Sequence, residues 1–457
     1  MTIKYQRIVA VLIVLLLAAE LVHMGLKEKP EEEEIIVERP LLIWYTDPDI
    51  QDYMEAAAAE TASRYQVEVR AELVSEVDYI EHISDKSVAE EMQGPDLYVA
   101  SSALLEKAVL AGLAVPVKDT GLSDIYSEKA VQAVTYDGNV VARPFFIETC
   151  FMLYNRYYVK PEEVPQSIEG ILAYAENFEA DALTEKVEHI FKWNVADVIN
   201  NYMFLGAYTN LGGPEGDDKQ MVSMDLEQII SCMNYYQSLN GFFAIDADTV
   251  TSEEVIQEFI DGKSVFTIVN VPMLAELDRA VAAGEIPEYE EEEGAHFDPF
   301  YQVIQLPPLT DTLSSRGLSV TNSVVVNPYS SNVKAAEACA RYLTQERADR
   351  LYEEAKKLTA CKNLLGSSEP EEKEGIWGYQ SLYDRLLGQS QTSPDGENAD
   401  QYMTVYEAYE AAAEVPKIME LSNMWLQLEV VLADIWRGAD AGERMTGFKE
   451  LLETQLN

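Results

Sequence analysis

One stretch, Tyr136–Asn155 (YDGNVVARPFFIETCFMLYN), constrains the fold more than any other. It opens on Asp137-Gly138, a pair whose glycine tolerates the positive φ of a tight hairpin turn. Pro144 follows, and the run from there to Asn155 is uncharged except for one carboxylate, Glu148. An acid among Phe145, Phe146, Ile147, Phe151, Met152 and Leu153 is costly to bury without a partner. Glu148 is therefore either a satisfied structural acid or a ligand group lining a cleft.

At 457 residues, 47% of them hydrophobic, the chain suits two or three domains with a sizeable core. Lys and Arg total 33 against 80 Asp and Glu, a net charge of −47. Such a surface repels phosphate backbones, which argues against nucleic-acid binding. Cys150, Cys232, Cys339 and Cys361 are widely spaced and form no zinc-type pattern. They read as small apolar residues, with a Cys339–Cys361 disulfide as the alternative.

Lys4 and Arg7 precede Ile8–Ala19, an uncharged apolar run shaped like an export signal. Without a small-x-small cleavage site or an early cysteine, residues 1–26 read as an uncleaved signal anchor; a cleaved signal is the alternative. The Glu-rich, proline-containing residues 27–40 then read as a solvated tether. Extracytoplasmic exposure of the remaining chain follows.

From Leu41 the pattern alternates. Leu41–Tyr45, Gln66–Leu73 and Leu97–Ala100 read as strands; Pro48–Tyr65, Asp78–Met92 and Ser102–Ala111 read as helices between and after them. This order implies a doubly wound α/β layer. Further helices are expected over Ala196–Tyr208, Asp225–Leu239, Ser252–Asp261, Val333–Leu343, Glu346–Lys357 and Trp425–Trp436. Ser264–Val269 and Ser323–Asn327 are expected strands. The acidic run Glu290–Glu293 lacks the spaced oxygens of a calcium loop and reads as solvated.

There is no GxSxG, Walker loop, HExxH or GxGxxG. Glycosidase chemistry would need two carboxylates about 5–9.5 Å apart, and the sequence singles out no pair. Six segments in order instead resemble the extracellular solute-binding proteins of carbohydrate ABC transporters, the maltose-binding-protein-like group. They are LLIWYTDPDIQDYM, GPDLYVASSALLEKAVLAGLAVPV, YDGNVVARPFFIETCFMLYN, FIDGKSVFTIVNVPM, GLSVTNSVVVNPYSSNVKAAEACARYLT and VPKIMELSNMWLQLEVVLADIWRG.

The resemblance implies a type II periplasmic-binding-protein-like fold of two α/β lobes with a hinge and an interlobe cleft. Its lobes would be 41–147 plus 308–352 and 148–307 plus 353–457. It implies a monomer that binds a carbohydrate, presents it to ABC permease subunits and needs neither cofactor nor metal nor catalytic residue. A membrane-anchored sensor, a receptor for a peptide or polyamine, and a carbohydrate-active enzyme are the rival readings. The ligand positions it implies are Asp47, Ser101, Ser102, Glu148, Trp193, Asn194, Tyr202, Met273 and Trp425. Several have a structural alternative: Asp47, Ser101 and Ser102 as helix caps, Tyr202 as core. Met273 and Val271 depart from the group's pattern, which has tryptophan and glycine there, so a flexible thioether replaces one stacking face.

Overall fold

The computed structural model describes residues 39–88, 94–118, 121–179, 184–287, 299–362 and 399–456. The expected anchor, nearly all of the tether and the Glu290–Glu293 run lie outside them. Among the described residues no helix is long and apolar enough to cross a membrane.

The strands are β1 (Leu41–Tyr45), β2 (Val69–Leu73), β3 (Leu97–Ser101), β4 (Thr135–Tyr136), β5 (Asn139–Val140), β6 (Arg143–Asn155), β7 (His189–Lys192), β8 (Thr209–Asn210), β9 (Ser223–Met224), β10 (Ser264–Asn270), β11 (Tyr301–Ile304), β12 (Leu318–Val326), β13 (Leu358–Thr359) and β14 (Ala413–Glu414). The main sheet runs β2-β1-β3-β12-β6-β10-β7, with β11 and β13 also on β6 and β14 on β12. β1 pairs in parallel with β2 and β3, which needs crossovers. The helices Gln51–Tyr65 and Tyr79–Ser87 supply them.

β6 unites the molecule. Its first half pairs with β12, from Arg143↔Val324 to Thr149↔Ser319. Its second half pairs with β10, from Cys150↔Asn270 to Tyr154↔Phe266, and with β11. The strand thus leaves one sheet region for the other between Thr149 and Cys150. One core gathers Trp44, Tyr98, Val134, Val141 and Val325 on the first region. The larger one gathers Phe151, Trp193, Tyr236 and Trp436 about the second. Upstream, β4 and β5 form the expected hairpin, with φ of 47° at Asp137 and 68° at Gly138.

One expected helix is broken. Ala196–Tyr208 becomes Val198–Asn201 followed by short 3-10 turns at Tyr202–Phe204 and Gly206–Tyr208. A Cβ on Gly206 would lie 2.1 Å from the Arg316 carbonyl oxygen, so the backbone here is pressed against a distant segment. Periodicity does not carry that contact.

Two buried polar arrangements stand out. The Asp278 carboxylate, in the helix Val271–Ala283, accepts from three tyrosine hydroxyls: Tyr301, Tyr352 at 2.6 Å and Tyr402 at 2.7 Å. Burial raises the pKa of Asp278 even against these donors. Separately, Lys129 Nζ donates to the carbonyls of Tyr409 and Ala412, and Lys417 Nζ to those of Gln132 and Glu215. Burial pushes both ammonium groups down to about 8. Glu414 and Glu410 oppose the shift at Lys129, while Arg316 reinforces it. Glu414, Asp217 and Glu215 oppose the shift at Lys417.

All four cysteines are buried and unbridged, so the Cys339–Cys361 disulfide is absent. Burial pushes the Cys150, Cys232 and Cys339 thiols up to about 12. A pH optimum for stability follows. Between pH 8 and the ordinary 10.5 of lysine, the unfolded chain binds more protons at Lys129 and Lys417, so stability rises with pH. Above the ordinary 9.0 of a thiol, the unfolded chain binds fewer at the cysteines, so stability falls. Unfolding free energies from urea titrations should therefore peak near pH ~9, about 1 kcal/mol above the value at pH ~7.5. A monotonic fall across that range would contradict this account of the two lysines.

Candidate functional site

Glu148 is the only part-exposed residue of β6; the other positions are buried. It stands two residues before the strand changes sheets. Its Oε1 accepts from Lys357 Nζ at 3.1 Å, and its Oε2 lies 3.5 Å from the Asn322 amide of β12. The same ammonium meets Asp47 Oδ2 at 3.0 Å and Asp49 Oδ2 at 3.7 Å, and lies 5.5 Å from the Phe146 ring centre. Three carboxylates thus surround one lysine whose side chain is 4% exposed.

Local sequence explains each placement. Asp47 follows β1 and caps the turn Pro48–Ile50, its side chain accepting from the Asp49 amide at 2.9 Å. Lys357 immediately precedes β13, whose Leu358 and Thr359 pair with Ile147 and Phe146 of β6. Burial opposes the Lys357 charge, but Glu148 and Asp47 outweigh it and hold its pKa above the ordinary value. The lysine's part of this stabilisation is present at neutral pH and is lost as pH rises through its raised pKa.

The structure gathers part of the expected set. Ser101, part-exposed at the end of β3, is in register with Asn322, whose amide reaches Glu148. Ser102 is fully buried, and its hydroxyl donates to Glu414 Oε1 at 2.7 Å. Glu414 also accepts from the Ser319 hydroxyl and the Thr321 amide, so Ser102 belongs to an internal network. Asp47 is a turn cap and ion-pair partner and Glu148 an ion-pair partner, the structural roles the sequence offered, and both stay part-exposed.

The aromatic positions divide. Trp425, half-buried near the start of the helix Met424–Trp436, meets Tyr202 edge-on, with ring centres 5.9 Å apart. Tyr202 is 1% exposed, and its hydroxyl bonds to that of Thr209. Trp193 is wholly buried, stacked on Phe191 at 4.5 Å and donating to Asn201. The expectation that it faces a cleft is therefore corrected: it fills the core. Asn194 turns the backbone, accepting from the Ala196 amide and donating to Ser252. Met273 is 6% exposed in the first turn of its helix, where its amide is capped by Asn270. Trp193, Asn194 and Met273 thus serve packing or turns in this structure.

Sequence reasoning missed Lys357, Asn322 and Asp49. The signal for Lys357 was available: a cation heading the short uncharged run Leu358–Cys361. Among the described residues no cluster of three or more His, Cys, Asp or Glu suits a metal ion. Chemically the arrangement offers acceptor oxygens, an amide and a neutralising ammonium, suited to holding hydroxyl groups.

Comparisons with known proteins bear on family and fold. The family described as bacterial extracellular solute-binding protein matches residues 55–361. The maltotriose-binding protein of Pyrococcus abyssi is 27% identical over 177 residues, 38% of this chain. That match spans 36% of the relative's length. An extracellular solute-binding protein from Staphylococcus aureus, solved with maltose, superposes with a TM-score of 0.68. The alignment covers 92% of this chain and 98% of that one at 16% identity. The maltose-binding periplasmic protein of Listeria monocytogenes, also solved with maltose, gives 0.64 at 18% identity, covering 91% and 97%. The likeness establishes the fold: two α/β lobes of the type II periplasmic-binding architecture.

Proposed function

Because the chain belongs to the bacterial extracellular solute-binding proteins, we propose that it binds a neutral oligosaccharide between its lobes and hands it to an ABC permease. Membership implies a location outside the cytoplasm. The observation that carries the sugar reading is the carboxylate group around Lys357 at the strand crossover. Glu148 and Asp47 remain part-exposed acceptors for paired hydroxyls, while the buried ammonium offsets one of the three negative charges. The half-buried Trp425 supplies an aromatic surface for the C–H face of a pyranose. Relatives of the same fold hold maltose, which makes α-linked glucose oligomers the first ligands to try.

In this reading the lobes are 41–147 with 308–352, and 148–307 with 353–457. The body is a monomer held at the membrane by residues 1–26 through the tether 27–40. The ligand is bound and released unchanged.

Calorimetric titration with maltose, maltotriose, a tripeptide and spermidine tests the proposal. Saturable binding of an oligosaccharide, with thermal stabilisation by mass action, is the expected result. Binding of spermidine or peptide alone would overturn it. Trp425→Ala should weaken oligosaccharide binding by about 1–3 kcal/mol with folding retained. Unchanged affinity would remove Trp425 from the site.

A further inference from the structure

The segment 412–420 runs between parts of the two sheet regions and bonds to both. Toward the first region, Glu414 accepts from Ser102, Glu106 accepts from the Met419 amide, and Lys417 Nζ reaches the Gln132 carbonyl at 3.2 Å. Gln132 lies in the helix Glu128–Ala133, within the 41–147 lobe of the reading proposed above; Val134 just beyond that helix belongs to the first core, while Ala130 within it touches the larger one. Toward the second region, the Lys417 amide donates to the Gly216 carbonyl at 2.8 Å and Nζ to that of Glu215. Those two residues lie between β8 and β9, just ahead of the helix Leu226–Phe243 that packs on the second core. A direct bond lies alongside: the Asp137 amide of the β4–β5 turn donates to Asp217 at 2.8 Å.

Lys417 is 0% exposed, and a fully desolvated ammonium held by carbonyls is expensive to keep. Glu414, Asp217 and Glu215 lend it electrostatic support. A methionine of similar length would fill the same volume without that cost, so packing does not explain the charge. What the ammonium does that methionine cannot is donate at once to one carbonyl from each side. We infer that Lys417 is a rivet joining the two halves through the 412–420 strap, and that it restrains their relative opening. This lies beyond ligand recognition and does not depend on which solute is bound.

The buried native cysteines leave the full chain open to selective labelling through Ser75→Cys and Ser238→Cys, one exposed position on each half. Spin-label distances without ligand should show one narrow population in the otherwise native chain. Lys417→Met should add a second population at longer distance. A distribution unchanged in the folded variant would overturn the inference. Should Lys417→Met not fold, native-state hydrogen exchange of the unmodified chain decides. A rivet requires the amides of Asp137, Lys417 and Met419 to open together, within about twofold in rate. Rates differing by about tenfold or more would overturn it.

Discussion

Asp278→Ala is expected to destabilise the protein by about 3–5 kcal/mol, as measured by urea unfolding. The substitution withdraws from Tyr301, Tyr352 and Tyr402 the acceptor that all three share, in a site where each tyrosine is at most 4% exposed. A polar group that loses its partner in such a place costs about 1–3 kcal/mol. Part of that loss is returned, because burial already makes the Asp278 charge unfavourable at neutral pH. Asp278→Asn isolates the two effects. Its carbonyl can accept where Tyr352 and Tyr402 donate, and its amide can face the Tyr301 oxygen. It should stay within about 1 kcal/mol of the parent. Equal losses for alanine and asparagine would show that the charge, not the hydrogen bonding, holds the four elements together.

The second large effect is at the crossover. The double substitution Asp47→Asn and Glu148→Gln removes the two nearest anions from Lys357 and leaves Asp49 at 3.7 Å. Stranding a buried ammonium in this way should cost about 3–4 kcal/mol. Adding Lys357→Met to the pair should recover most of it, since a neutral side chain of similar volume has no charge to satisfy. Oligosaccharide binding should not recover, because the acceptors for hydroxyls are gone. That divergence separates the structural duty of Glu148 from its proposed duty toward ligand. Recovery of both stability and binding in the triple variant would show that the carboxylates serve Lys357 alone.

Much of this architecture was legible along the chain, for definite reasons. The first strand matches the expected Leu41–Tyr45, and β6 begins one residue before the run from Pro144 to Asn155. In these stretches local preference and burial agree. The expected Val333–Leu343 helix ends at Arg341, and Leu226–Phe243 runs past the expected Leu239. End positions depend on neighbours more than on periodicity. The strand expected over Ser323–Asn327 begins at Leu318, because Ser319 and Thr321 sit buried between β6 and β14 as polar residues. A polar alternation of that kind does not look like core.

The site was half legible. Glu148 announced itself as a lone acid in an apolar strand. Lys357 lies 209 residues away, and no local pattern links the two. Trp193 misled for the complementary reason. It was a cleft position only through the resemblance, outside the six matching segments, and its ring is enclosed by Phe191, Phe204, Phe243 and Trp436, which arrive from separate helices and strands.

The continuity of β6 has a mechanical consequence. One unbroken backbone belongs to both sheets, so the halves cannot pivot about a floppy joint. They must twist a shared strand like a torsion bar. The ladder from β12 carries a register shift at Asn322/Ser323, beside the hydrogen bond to Glu148. Flexure concentrated there would swing the very carboxylate proposed to grip the sugar, so grip and bending would rise and fall as one elastic movement.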